Sequence, residues 1–310
     1  MGNVVNFPQS AKQLRELGLQ AFNDGDFHRA VSQLEQLEQS YPDDVTPNDD
    51  QALATAYMEL GEADEANAVI QDVVDDIASS ADGRQLLIKI AAGVPDFPLG
   101  SYVINMTEDD TETTASINVM AEVMERYVNE HGSAIKASKR HLRNLGGMNL
   151  VEQEQFVTTE LSKLPYVDVD DSLAVALVDP DVHPAVRSSL VTWSLMATPA
   201  TVIKVLVYDR VITVDTTSLV MPGDDDTSQA VLGAIVDKLP EQEELVQMLV
   251  PTFFVLLGFL YPAVDEFIQD VDEFAATAVD PQRESPYREL IDWLTAKAQE
   301  LSDVGTNLDN

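Results

Sequence analysis

The side chains able to do chemistry are few in kind and widely spread. No cysteine is present, so disulfides, thiolate nucleophiles and thiolate metal sites fall away together. Four histidines, His28, His131, His141 and His183, are scattered, with no two spaced i, i+4 on a predicted helix and no His-Glu-x-x-His run, which disfavours zinc catalysis. Neither a Gly-x-Ser-x-Gly elbow nor a phosphate-cradling glycine loop occurs. Asp168-Val169-Asp170-Asp171-Ser172 opens like a calcium loop, but Leu173 stands where that loop needs glycine to turn. Asp170 or Asp171 serves equally well as a helix cap. Carboxylate pairs such as Asp224/Asp225 are too common in so acidic a chain to mark a general acid and base. These residues call for no cofactor and no resident metal. A metal-dependent hydrolase remains the alternative, with acids gathered from distant segments, since hard cations accept carboxylate oxygens alone.

The one dense cationic group is Lys136, Lys139, Arg140 and Arg143, which share a face at helical spacing. It suits an anionic ligand or an acidic peptide, or else a solvated face paired with neighbouring carboxylates. Elsewhere acid dominates, 54 acidic against 18 basic residues for a net charge of -36. Duplex binding needs Lys and Arg to displace counterions, so nucleic acid is not an expected partner. The acidity fits either a high-salt cytoplasm or a cationic partner. At 310 residues, 45% apolar, the chain can bury a substantial core in one large or two ordinary domains. Met1-Gly2-Asn3-Val4-Val5-Asn6-Phe7-Pro8 has no cationic start and no export-length apolar run, which predicts a cytoplasmic protein. The most apolar stretch, 245–261, holds Pro251 and Gly258, is too short to span a bilayer, and is bracketed by Glu244 and Asp265. It reads as a buried helix, with no membrane partner.

The elements that must position these residues are helical. Two apolar stripes, Leu14/Leu17/Ala21/Phe22 and Phe27/Ala30/Val31/Leu34/Leu37, flank a break at Asn23-Asp24-Gly25-Asp26. Gly18, Ala21 and Ala30 are small where two antiparallel helices must approach, and Pro42 stops the second helix. Leu14, Leu17-Gly18, Ala21, Ala30, Leu34 and Pro42 resemble one repeat of the tetratricopeptide-repeat (TPR) family, W-x2-L-G-x2-Y, A-x3-F, P. A second copy follows 36 residues on, with Asp50 at the Trp place, then Leu53-Ala54, Tyr57, Ala66, Ile70 and Ala78. The resemblance covers residues 10–80. It implies stacked helical hairpins and a concave groove that takes a protein or peptide partner.

By that resemblance the groove is lined by Lys12, Arg15, Leu19, Phe22 and Asn23 in the first repeat. The second repeat supplies Gln51, Thr55, Met58 and Glu59. Family members that capture a C-terminal carboxylate place Lys and Asn at the positions of Arg15 and Leu19. Leu19 cannot donate, so that clamp is not expected. Leu19, Phe22 and Met58 read equally well as core, because apolar residues on a helical stripe usually are.

Residues 84–92 begin a third helix, after which Gly93-Val94-Pro95-Asp96-Phe97-Pro98-Leu99-Gly100 predicts turn or extended chain and 107–113 an exposed loop. Helices are expected from Ala115 to a break at Asn129-Glu130-His131-Gly132, over 133–145 and over 150–164. An apolar helix at 173–178, Asp179-Pro180-Asp181-Val182-His183-Pro184 and a helix bearing Val186-Arg187 resemble a HEAT-type repeat. Residues 201–208 and 211–215 predict a β-hairpin joined at Asp209-Arg210, with Leu219-Val220-Met221 as an extension and Tyr208, Asp209 and Arg210 as a protruding contact. Helices then cover 228–239, 242–260, 264–278 and 286–301, the last with Ser285 as N-cap.

The expectation is a mainly α protein of α-solenoid-like helical repeats, a TPR pair plus HEAT-like helices, with one inserted β-hairpin. Its parts are a TPR-like domain at 1–92, a helical middle region at 93–200, the hairpin at 201–222 and a helical region at 223–310. The expected role is a non-enzymatic interaction or assembly module that binds in the TPR groove; self-association through the same repeats is the other non-enzymatic option.

Overall fold

The computed structural model describes residues 10–166, 169–197, 201–240 and 242–308. Among them are sixteen helices and one two-stranded antiparallel sheet, so the fold is mainly α. The chain divides into two units, 1–130 and 131–310. Met1 to Pro8 and Val167-Asp168, on which the export and calcium-loop readings partly rest, lie outside the described residues.

In the first unit, helix starts are written in local capping chemistry. Ser10 and Gln13 cap each other to begin α1 (Ala11–Asn23). Gly25, at φ 76, makes the turn, and the Asp26 carboxylate then accepts from Arg29 N to begin α2 (Phe27–Ser40). Thr46 and Asp49 form a second capping box at α3 (Pro47–Leu60), with proline in the first turn where its missing N–H is not needed. There follow α4 (Ala63–Ile70), α5 (Val74–Ala78), α6 (Ala81–Gly93), α7 (Phe97–Met106) and α8 (Asp110–Arg143). The pairs α1/α2, α3/α4 and α6/α7 form hairpins whose first helices begin at residues 11, 47 and 81, intervals of 36 and 34. Helix α1 touches α3, and α3 touches α6.

Small residues set the spacing. A Cβ on Gly18 would lie 2.8 Å from the Leu34 side chain, so α1 and α2 approach as closely as the glycine permits. Ala21, Ala30 and Ala56 are buried together, and Ala66 joins Leu14, Leu34, Leu37, Leu53, Ile70, Leu87 and Phe97 in one core.

Residues 93–100, where turn or extended chain is expected, divide: Val94 and Pro95 form a turn, but Phe97 to Gly100 are helical. Asp96 accepts from Leu99 N at 3.0 Å, and Pro98 sits in the first turn of α7, so that proline opens a helix. The loop expected at 107–113 is likewise shorter: Asp109 accepts from Thr111 N and Glu112 N, and α8 begins at Asp110. Arg84 fixes that start by a bidentate pair with Glu112 at 3.1 and 3.0 Å. The predicted break at 129–132 is present as a departure from helical geometry at His131 (φ -118, ψ 17).

The second unit opens with the end of α8 and α9 (Leu150–Thr159), capped reciprocally by Asn149 and Glu152. Helices α10 (Asp170–Ala176) and α11 (Pro184–Ala197) follow. The buried Gln153 amide donates to the carbonyls of Met148 and Asp181 and accepts from His183 N, which holds the turn before α11 against α9. Strands β1 (Val202–Val207) and β2 (Arg210–Asp215) pair from Val202↔Asp215 to Val207↔Arg210. The outward Leu206 N–H of β1 donates to the Leu177 carbonyl at the end of α10. Residues 219–221 add no strand. A 3-10 turn at Thr216–Ser218 diverts the chain, and Val220 O accepts from the Tyr261 hydroxyl at 2.9 Å.

The C-terminal layer is α12 (Asp226–Asp237), α13 (Glu243–Gly258), α14 (Val264–Phe267), α15 (Val271–Val279) and α16 (Arg288–Leu308). The single helix expected at 264–278 is broken because the Tyr287 hydroxyl takes Gln269 N–H and Asp270 N–H out of a helical ladder, at 3.1 and 2.8 Å. The apolar stretch 245–261, expected as a buried helix, is covered on one side only over its helical part. Phe253, Leu256 and Leu257 face the core, whereas Met248, Phe254 and Val255 are 57%, 48% and 51% exposed. Among the described residues no helix is long and apolar enough to cross a membrane.

Candidate binding surfaces

The residues read as a groove lie on α1 and α3, which adjoin, but their states differ. Lys12 is exposed and paired only with Glu16 one turn on, at 3.8 Å. Arg15 is not a free cation. Its Nε donates to both Asp49 oxygens at 3.0 and 2.9 Å, and its terminal nitrogen reaches the Asp44 carbonyl. Asp49 is 3% exposed and also caps α3 through Thr46, so Arg15 neutralises a buried carboxylate at a helix start. Leu19, Phe22 and Met58 are half-buried against the core, with Phe22 edge-on to Phe27 at 6.0 Å. Thr55 spends its hydroxyl on the Gln51 carbonyl at 2.7 Å, and Gln51 is half-buried. Asn23 and Glu59 are exposed. Of the nine residues, Lys12, Asn23 and Glu59 are the exposed polar ones, and Leu19, Phe22 and Met58 are partly exposed.

Beside these residues is a charged cluster that sequence reading did not single out. Tyr57 donates to Glu35 Oε1 at 2.6 Å, and burial first, then Glu35, drives the phenol's pKa up. Burial, with the neighbouring carboxylates of Glu38 and Asp49, pushes Asp50 up to about 6. Asp50 stands where the repeat pattern carries Trp, and that mismatch was the available signal.

In the second unit, Lys136, Arg140 and Arg143 are exposed along the last turns of α8, and Lys139 is half-buried on the same helix. Among the described residues Lys136, Arg140 and Arg143 enter no ion pair. Glu160 lies nearby, hydrogen-bonded by Ser138 and 3.5 Å from His141 Nδ1.

The hairpin tip does not protrude. Tyr208 packs edge-on to Trp293 and Phe267 at 5.0 and 5.9 Å, and the Arg210 guanidinium lies 4.4 Å from the Phe267 centroid. These contacts tie Tyr208 to α14 and α16 and Arg210 to α14, so the two act as a strut, and Asp209 between them is exposed.

His183 and Arg187 are buried, at 6% and 5% exposure. His183 Nδ1 accepts from Ala185 N at 3.2 Å, which makes Nε2 the protonated nitrogen facing the Lys297 carbonyl at 3.2 Å. Arg187 donates to the carbonyls of Asp179 and Val182, and burial pulls its pKa down to about 10. Both side chains brace the turn before α11. Among the described residues no three of His, Asp and Glu gather closely enough to hold a metal ion.

No known protein family, curated protein or solved structure matches the chain.

Proposed function

We propose that the first unit is a TPR-type module that binds a peptide or protein segment along α1, α3 and α6, and that the protein serves in assembly. The observation carrying this reading is the recurrence of helical hairpins at intervals of 36 and 34 residues, with first helices that adjoin in order; the family's usual period is 34 residues. Such stacking leaves a preformed channel, so the partner bears most of the ordering entropy. Lys12, Asn23 and Glu59 supply exposed polar contacts and Leu19, Phe22 and Met58 the apolar floor, while Arg15 acts through Asp49 to hold the wall.

Photo-crosslinking in cells tests it. A benzophenone side chain placed at Asn23 or Glu59 is expected to trap the same partner, and one at exposed Glu65 on α4 is not. Equal trapping at all three positions, or none, removes the groove.

A further inference from the structure

We infer that the exposed face of α13 is a second docking surface, independent of the groove above, and that its occupant is an amphipathic segment of another protein carrying lysine or arginine at one end of an apolar stripe.

Three observations converge on α13. Its outward face carries Met248, Pro251 and Val255 at helical spacing, with Phe254 alongside. These are large apolar groups on one continuous line, unlike single apolar residues scattered over a surface. Second, that line runs into acid. Glu244 lies one turn before Met248, and a shallow, open hollow on the surface is bordered by Gln242, Glu243, Glu244, Leu245 and Met248. A long cationic side chain fits such a hollow, its methylenes over Leu245 and Met248 and its head at the carboxylates. The helix N-terminus carries only about half a positive charge, so two carboxylates leave the hollow negative. Third, Pro251 has no N–H, so the helix makes no bond from residue 251 to the Gln247 carbonyl on its exposed side.

Charge selects the occupant. Between Arg210 and Arg283 the only cation is Lys238, and it is paired with Asp272 at 3.3 Å. The segment that carries α13 is therefore acidic, and Glu243 and Glu244 lie beside the stripe, which attracts a cationic segment and opposes both an anionic lipid surface and a second copy of a chain of net charge -36.

Fluorescence anisotropy on the full chain tests this with two labelled helical peptides matched in their leucines, one carrying lysines and the other glutamates. The lysine peptide is expected to bind and the glutamate peptide not. The decisive comparison is Met248→Glu/Val255→Glu. Added carboxylates strengthen general attraction for lysine, so weakening by about tenfold or more identifies docking on the stripe. Glu243→Lys/Glu244→Lys should shift preference towards the glutamate peptide. Binding that is absent, or equal or tighter in Met248→Glu/Val255→Glu, overturns the inference. Two further results overturn it as well: a concentration-dependent dimer that Met248→Glu abolishes, which makes a second copy the occupant, and co-sedimentation with neutral lipid vesicles, which makes it a membrane. Unchanged melting curves for the variants show that the fold is intact.

Discussion

At the scale of single residues, a buried histidine and a half-buried aspartate write opposite pH dependences into the two units. His183 is held neutral because burial lowers its pKa, against the opposing pull of Glu300 and the Lys297 carbonyl. The unfolded chain takes up a proton near pH 6.5 and the folded one resists it, so this contribution is intact above that value and declines as pH falls below it. The second unit should lose thermal stability on acidification from pH 7.5 to about 5.5, and His183→Gln should flatten the slope; parallel curves for the two proteins would refute this. Asp50 runs the other way. Its folded pKa of about 6 lies above the ordinary 3.8, so the stability its neutral form provides is full below 3.8 and is lost as pH rises through 6. At pH 7 Asp50→Asn should raise the first unit's stability by about 1 kcal/mol, once solvent screening of this half-exposed group is allowed for. The gain should vanish at pH 3.5 in chemical denaturation, and a gain of equal size there would point to a cause other than charge. Asp50 carried only its mismatch at the Trp place as a signal and His183 carried none, because the burial that chiefly moves both is set by packing from distant parts of the chain.

At the scale of elements, legibility followed the locality of the signal. The hairpin α1/α2 could be read because its stripes, its small residues and its Asn23-Asp24-Gly25-Asp26 turn are contiguous, and a Cβ on Gly18 would indeed meet Leu34. Helix α7 was missed because Pro95 and Pro98 read as breakers, while the cap that turns Pro98 into a starter is a single aspartate. The break between α14 and α15 depends on a hydroxyl 17 and 18 residues away, which no local pattern carries. Arg15 was correctly placed on α1, yet its service to Asp49 was hidden because the two lie 34 positions apart. The side of α13 that stays uncovered was invisible for a related reason, since an all-round apolar helix does not say which of its faces a neighbour covers. Leu34 is 2% exposed between α1 and its own helix. Leu34→Ala should therefore cost about 3 kcal/mol and Leu34→Asp should unfold the first unit, because it buries an unpaired charge. Circular dichroism melts would expose a misplaced stripe if either protein melted as the parent does.

For the whole molecule, a net charge of -36 means that folding gathers like charges while few ion pairs offset them. Raising KCl from low ionic strength towards 1 M should increase the melting temperature, since screening relieves repulsion more than it weakens the exposed pairs. A flat or falling melting temperature across that series would show that the carboxylates are already neutralised pairwise. The single sheet bears on how such molecules coexist at high concentration. The outward amide of Leu206 is occupied by the Leu177 carbonyl, a group that a helix end would otherwise leave to water. A stray strand arriving at β1 finds that rung already taken, so the sheet cannot readily act as a template for cross-chain zippering on that flank, and two otherwise orphaned backbone groups satisfy each other.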